Sequence, residues 1–346
     1  MRRRVRRRVL IVLVLGLAAA VIAGWWVVGG NRGYRNVVEK EAPEANWKCK
    51  HARSCDADYR RFAERYSRKG QPVSEAELAE SIKEAGWERP VTSALPYEEL
   101  RAAIIQALNI DFLLDGLNER RLEVIYTARH EEADFTREEF LLVDRYVGMT
   151  KGVLYTPRGV SPCRAILGVH GHGQHAETFF RDLGLKAWLD EGYVVLSVTM
   201  RAAGADMVED QLVRHLLRRG FSLLGLRVYE TLLGHKLLKD RFGEDVEVVL
   251  LGHSGGSVSN NIVIRVTREI DAAIIDAVGT YLNAWNVGLT DEIALELHRY
   301  RLLINDFSTA PMPVLRQAYG YPEGWGLAKD FLQHNLESPA TTTYSP

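Results

Sequence analysis

A glycine-flanked serine between an apolar run and a helix-like segment constrains this chain more than any other feature. Residues 252–256 read Gly-His-Ser-Gly-Gly, follow the apolar run 246–251 and open into a helix-like stretch. A serine on so sharp a turn projects its hydroxyl beyond the end of the sheet, and small neighbours let strands and helix come close. The pattern predicts a strand, a tight turn at Ser254 and a helix. The alternative is a serine that merely links strand to helix.

A second small-residue loop follows an earlier apolar run. Residues 164–169 read as a buried strand that leads directly into His170-Gly171-His172-Gly173-Gln174. Acyl transfer to a serine requires two main-chain donors for the developing oxyanion, and the N–H of Gly255 is one candidate. The second is expected from the loop, at His172 or Gly173.

The stretch between the two loops alternates between helix-like and strand-like segments. Helix-like residues 176–191 are followed by an apolar strand over 193–198 and a long amphipathic stretch over 206–242. Strands that alternate with helices imply right-handed crossovers and a parallel sheet. Short alternating runs before residue 156 indicate antiparallel strands that lead into this sheet, and residues 272–278 and 313–319 predict later strands.

These motifs resemble one branch of a known superfamily. The loop at 170–173, the runs 192–196 and 223–226, and the turn at 252–256 are similar to the acetyl-xylan-esterase-like and dienelactone-hydrolase-like α/β-hydrolases. The resemblance covers about residues 153–278 and extends more weakly to 309–313. It implies an α/β-hydrolase fold, with a mostly parallel sheet flanked by helices. It also implies a serine esterase without a cofactor, acting on a small-molecule ester through an acyl-serine at Ser254.

The remaining catalytic partners are harder to assign. A serine nucleophile needs a histidine base oriented by a carboxylate, in the chain order serine, acid, histidine. If residues 313–319 form the seventh strand, Glu323 occupies the acid position. If they form the last strand, Asp306 becomes the acid candidate.

No histidine occupies the expected position of the base. Only His298 and His334 follow Ser254, and both fall in helix-like segments. The base could also come from His172 or His253, beside the serine. Two functions therefore remain open: an active esterase, or a hydrolase fold that has lost its base and serves as a binding or scaffold protein.

The histidine-rich loop also allows a metal-dependent alternative. His170, His172 and His175 form a pattern one substitution away from the zinc-binding loop of metallo-β-lactamase-like hydrolases, with Gln174 in place of the aspartate. Imidazoles at this spacing could bind zinc and activate a water. That hypothesis leaves the later strand-serine-helix order unexplained.

The first thirty residues predict a membrane anchor. Six arginines precede the apolar run from Val9 to Val28, which is long enough to cross a bilayer, and the positive-inside rule keeps the arginines cytoplasmic. A cleaved signal peptide is the alternative, and both alternatives export the remainder of the chain. The chain has a formal net charge of −1 and no basic patch with interleaved aromatics beyond this segment, which argues against a nucleic-acid partner.

The pattern divides the chain into four parts. Residues 1–30 form the basic start and the anchor, and residues 31–118 form a helical spacer or cap. Residues 119–337 form the hydrolase domain, and residues 338–346 form a tail. Cys49 and Cys55 are close enough in sequence to form a disulfide in an exported protein.

Overall fold

The computed structural model describes residues 93–144, 146–172, 174–201, 222–276, 297, 300–317, 325–336 and 341–342. The predicted anchor and most of the predicted spacer lie outside these residues. Among the residues that the structure describes, no helix combines the length and hydropathy needed to span a membrane. The division of the chain into four parts stays a prediction.

Three antiparallel strands form one side of the sheet. They are β1 (Glu123–Glu131), β2 (Phe135–Asp144) and β3 (Gly148–Pro157), joined by consecutive hairpins, and the pairing of β1 with β2 shifts register between Tyr126 and Ala128. Along β2 the side chains alternate between half-buried and buried, as expected of a strand with one face on a core. The predicted antiparallel strands are confirmed.

Five parallel strands form the other side. They are β5 (Arg164–Val169), β6 (Val194–Val198), β7 (Glu247–His253), β8 (Ala272–Asp276) and β9 (Val314–Gln317). The order across the sheet is β1-β2-β3-β6-β5-β7-β8-β9, and β3 and β6 are antiparallel. The predicted α/β class, with a mostly parallel sheet, is confirmed.

Helices cover both faces of the sheet because its strands are apolar on both sides. In β5, Ala165 and Leu167 face one core and Ile166 faces the other. A separate short pair joins β4 (Ser161–Pro162) to β10 (Thr341–Thr342). The described helices are α1 (Tyr97–Leu108), α2 (Asp111–Leu114), α3 (Ala176–Asp182), α4 (Lys186–Leu189), α5 (Leu223–Phe242), α6 (Gly255–Val266), α7 (Arg301–Ile304) and α8 (Trp325–Asn335), with a 3-10 turn at Phe307–Thr309.

Helices α1 and α2 pack into the main core. Ile104 and Leu108 are buried in the same cluster as α5 and α6, and the Arg101 Nε donates a 2.8 Å hydrogen bond to the carbonyl of Val266 at the end of α6. The end of the predicted spacer is therefore packed directly on the helix that follows Ser254. Helix α5 packs against β5 and β6, and its residues from Leu223 to His235 are all buried.

Candidate active site

Ser254 lies at the carboxyl edge of the sheet in a conformation that side chains rarely adopt. Its φ is 50° and its ψ is −115°, directly after β7 and before the first residue of α6. A positive φ in a non-glycine residue costs on the order of 1–3 kcal/mol and persists only where the surrounding structure imposes it. Asn109 is the only other such residue in the described chain, and it ends α1 as a left-handed cap.

Close backbone approach at Gly256 allows this turn. A Cβ built on Gly256 would lie 2.1 Å from the carbonyl oxygen of Val169, so only glycine lets α6 start against the end of β5. A Cβ built on Gly171 would lie 2.9 Å from the Cβ of Ser254. The loop after β5 therefore runs directly beside the serine, as the two sequence motifs predicted.

Two of the residues predicted to supply oxyanion donors, Gly255 and His172, lie close together at the start of α6. Gly255 is the first residue of this helix, and a helix cannot satisfy its own first N–H groups, which carry partial positive charge. The ring of His172 covers Gly255, because a Cβ built there would lie 2.5 Å from the His172 Nδ1. The structure thus brings Ser254, Gly255 and His172 together, whereas Gly173 lies outside the described residues.

A buried histidine fixes the loop that carries His172. The Nδ1 of His170 donates to the carbonyl of Gly171 at 2.8 Å, and its Nε2 accepts the N–H of Met200 at 2.8 Å. Burial lowers the pKa of His170 to about 4, so the ring stays neutral near neutral pH. The side chain of Gln174 adds a further constraint, because its Oε1 accepts the N–H of Gly171.

These contacts argue against the zinc hypothesis. Both ring nitrogens of His170 are engaged by the backbone, and His175 lies at the start of α3, where its N–H donates to the Thr178 hydroxyl. In the described ranges, no group of three or more histidine, cysteine, aspartate or glutamate side chains is placed to bind a metal ion.

A buried pair of a histidine and a carboxylate lies beside the serine turn. The Nδ1 of His253 lies 2.7 Å from the Oδ2 of Asp276, at the end of β8, and Asp276 is fully buried. The carbonyl of Asp276 accepts the N–H of Ser254 at 3.0 Å and the hydroxyl of Ser257 at 2.5 Å. The sequence pattern did not single out Asp276, because it predicted a longer strand over 272–278 that contains this residue. A carboxylate directly after the apolar run 272–275 was the signal that could have revealed it.

The carboxylate of Asp306 is engaged within its own turn. Its carboxylate binds the N–H and hydroxyl of Ser308, and its carbonyl accepts a hydrogen bond from Arg265 at 2.8 Å. Arg265 lies near the far end of α6, about 16 Å along the helix axis from Ser254. Asp306 therefore caps a local turn.

His334 lies near the amino ends of the parallel strands, whereas Ser254 follows the carboxyl end of β7. Lys329, one turn earlier in α8, forms a 2.7 Å ion pair with Glu191, which precedes the amino end of β6. A strand of this length separates its two ends by about 17 Å, and Ser254 follows the carboxyl end of the parallel β7. The Nδ1 of His334 contacts the carbonyl of Asp330 at 2.6 Å. His334 is not positioned as the base. Glu323 and His298 lie outside the described residues, so their predicted roles stay predictions.

Arg201 forms a buried ion pair. It lies just after β6 and is buried against Glu230 of α5, to which it donates from Nε at 2.6 Å. Its Nη2 also donates to the carbonyl of Val147. Trp325 is likewise packed, with its indole N–H bonded to the carbonyl of Leu183.

Comparison with known proteins gives a likeness of structure alone. No protein-family model and no curated protein matches the sequence. Among solved structures, an acetyl xylan esterase from Paenibacillus sp. R4 is 12% identical with a TM-score of 0.46, and the match covers 70% of this chain and 100% of that chain. A methylesterase is 14% identical with a TM-score of 0.46, over 80% of this chain and 73% of that chain.

A third structure shows how partial the likeness is. A candidate acetyl xylan esterase from Bacteroides fragilis is 17% identical with a TM-score of 0.44, over 51% of each chain. This chain therefore spans about half the length of that match. In its structure, the chain is similar to acetyl xylan esterases and related esterases.

Proposed function

We propose that this chain is a serine hydrolase of the α/β-hydrolase fold that cleaves a carboxylic ester through an acyl-serine at Ser254. The observation that carries the proposal is the strained serine at the carboxyl edge of β7, with the first N–H groups of a helix directly behind it. Structural strain of this kind concentrates where a side chain must be presented for chemistry. A serine that only linked strand to helix would have no need of a left-handed φ.

The proposed reaction uses the groups that surround the serine. The Ser254 Oγ attacks the ester carbonyl, and its proton passes to a base as the tetrahedral intermediate forms. The N–H of Gly255 and a donor from the His172–Gly173 segment hold the oxyanion next to the positive end of α6. Collapse of the intermediate expels the alcohol and leaves the acyl-serine, which water then hydrolyses.

The base comes from His172, His253 or a residue outside the described ranges. His170 is excluded because both of its ring nitrogens are engaged, and His334 is excluded by its position at the other edge of the sheet. Glu323 remains the proposed acid, on its sequence position alone.

Hydrolysis of p-nitrophenyl acetate and labelling by a fluorophosphonate probe test the proposal. Wild type should turn over the ester and take up the probe, and Ser254→Ala should do neither. Ser259→Ala is the matched control, because Ser259 is a buried serine on the same helix and should leave both activities unchanged. Equal hydrolysis by wild type and Ser254→Ala would contradict the proposal.

A second candidate function is a hydrolase fold that binds a partner without catalysis. It is favoured by one observation: within the described residues, no strand follows β9 in the parallel sheet to present a histidine beside Ser254. A folded wild type that neither hydrolyses the ester nor takes up the probe would support this candidate.

We also propose that the run Val9–Val28 anchors the protein in a membrane, with the hydrolase domain on the extracytoplasmic side. The support is the length of the run and the arginines before it. Membrane fractionation of the full chain tests the anchor, and protease accessibility in spheroplasts tests the orientation. Recovery in the soluble fraction with an intact amino terminus would contradict both.

A further inference from the structure

Three contacts from one residue hold the strained serine in place. Asp276 lies beside the turn at the end of β8, and it is fully buried. Its carboxylate contacts the side chain of His253, and its carbonyl contacts the N–H of Ser254 and the hydroxyl of Ser257. One residue therefore fixes the side chain before the nucleophile, the peptide unit that carries it and the first turn of the helix after it.

The carboxylate contact is directional. A carboxylate oxygen accepts hydrogen bonds, so the Nδ1 of His253 is the donor in this contact. A charge-assisted hydrogen bond at 2.7 Å in a buried setting resists rotation of the ring. The Cδ2 of that ring lies 3.2 Å from a Cβ built on Gly171, and the Cβ of Ser254 lies 2.9 Å from the same point. The ring of His253 and the side chain of Ser254 therefore both lie close to Gly171, in the loop that carries His172.

We propose that Asp276 is a positioning residue for the nucleophile, and that its carboxylate acts through His253 to hold Ser254 in the attacking geometry. This inference rests on the proposed function, since it assigns a role in the same reaction. Activity would then require the carboxylate of Asp276 in addition to the residues of the serine motif. A displacement of about 1 Å at a reacting atom can cost about a hundredfold in rate, so the effect should exceed an ordinary stability change.

The chain offers a matched control at the other end of the same strand. Asp271 lies just before β8, and its Oδ2 accepts the N–H of Val248 at 2.7 Å, at the amino edge of the sheet. Asp271→Asn and Asp276→Asn make the same chemical change at the two ends. Only the change at Asp276 should alter the reactivity of Ser254.

The test measures the rate constant of fluorophosphonate labelling of Ser254 in folded full-length protein, together with kcat and KM for p-nitrophenyl acetate. Asp276→Asn should lower the labelling rate and kcat by about a hundredfold with little change in KM, and Asp271→Asn should leave all three unchanged. A residue with a merely structural role would lower the unfolding temperature and leave the labelling rate of the folded protein intact.

Variants of His253 test the other end of the contact and serve if Asp276→Asn does not fold. His253→Asn places an amide nitrogen near the position of Nδ1 and should label faster than His253→Phe. His253→Phe keeps a ring without the donor and should label slowly. The double variant Asp276→Asn/His253→Phe should label no more slowly than the slower of the two single variants, because both substitutions remove the same interaction.

The outcomes separate the two proposals. Normal labelling in wild type, with equally fast labelling in Asp276→Asn or in His253→Phe, overturns the role of Asp276 and leaves the proposed esterase in place. An unlabelled wild type overturns the proposed function, and this inference falls with it.

Discussion

Buried polar and charged side chains lie at both ends of the parallel strands, but they make different contacts at the two ends. At the carboxyl edge, burial keeps His170 neutral and Asp276 holds a serine with a positive φ. At the amino edge, Arg164 and Glu247 form a 2.7 Å ion pair between neighbouring strands, and the described backbone carries no comparable strain. Under the proposed function, the carboxyl edge serves reactivity and the amino edge serves stability. Substitutions at the two edges should therefore separate activity from stability.

The largest expected effect is the loss of activity in Ser254→Ala. Removing the nucleophile of a competent serine hydrolase lowers kcat on the order of a millionfold. The side chain is only half-buried, so the free energy of unfolding should change by less than about 1 kcal/mol. Ester hydrolysis and urea denaturation measure the two effects. A large loss of stability in a variant that keeps part of its activity would contradict the assignment of activity to the carboxyl edge and of stability to the amino edge.

Gly256→Ala should damage both the fold and the site. The new Cβ would clash with the carbonyl oxygen of Val169, so the backbone of α6 or of the end of β5 must move to accommodate it. We expect a loss of about 3 kcal/mol or more in the free energy of unfolding, and slower probe labelling. Gly326→Ala is the control, because Gly326 lies in α8 with open space around it, and a gain of up to about 1 kcal/mol is expected. Equal stability of the two variants would show that the close approach at Gly256 is not required.

Acid should lower the free energy of unfolding, because His170 at the carboxyl edge disfavours a proton in the folded state. The folded-state pKa of about 4 lies below the ordinary value of 6.5, so the folded protein disfavours the proton. The resulting stability is fully present above pH 6.5 and is lost as the pH falls toward 4, by about 3 kcal/mol.

Denaturation of wild type and His170→Gln between pH 7 and pH 4 measures this contribution. The stability advantage of wild type should shrink by this amount, because the variant lacks the titrating ring. A difference that is constant with pH would show that burial does not control the protonation of His170.

The smallest expected effect lies at the amino edge, at Asp271. Burial raises the pKa of this carboxyl, which means that the folded state holds its proton more tightly than the unfolded state does. Asp271→Asn keeps an oxygen for the N–H of Val248 and removes the partly buried charge. We expect a gain of a few tenths of a kcal/mol at neutral pH.

The gain from Asp271→Asn should vanish as the pH falls below the ordinary aspartate pKa of 3.8, where the wild-type carboxyl is protonated in both states. Thermal unfolding at pH 7 and pH 3.5 checks both parts. A loss of stability at neutral pH would mean that the charge itself supports the sheet.

Sequence patterns predicted the framework well because they are local. The apolar run before Ser254, the run 164–169 and the alternating runs before residue 156 all became strands in the predicted order. The small residues around Ser254 predicted the turn, since few other residues fit a close crossing of helix and strand.

Partnerships across the sheet could not be predicted in the same way. The contact between His253 and Asp276 joins two strands separated by a helix, and only the register of β7 against β8 brings them together. The position of His334 depended on which edge of the sheet α8 approaches, and helical periodicity carries no information about that. The contact between the His170 ring and the N–H of Met200 likewise required the loop after β6 to be in place.

Peptide mapping of the fluorophosphonate adduct tests the central claim most directly. The claim is that the serine held at the carboxyl edge is the nucleophile. Mass spectrometry of the digested, labelled protein should place a single adduct on Ser254, and the adduct should be absent after heat denaturation before labelling. An adduct on another residue, or none on folded wild-type protein, would contradict the account.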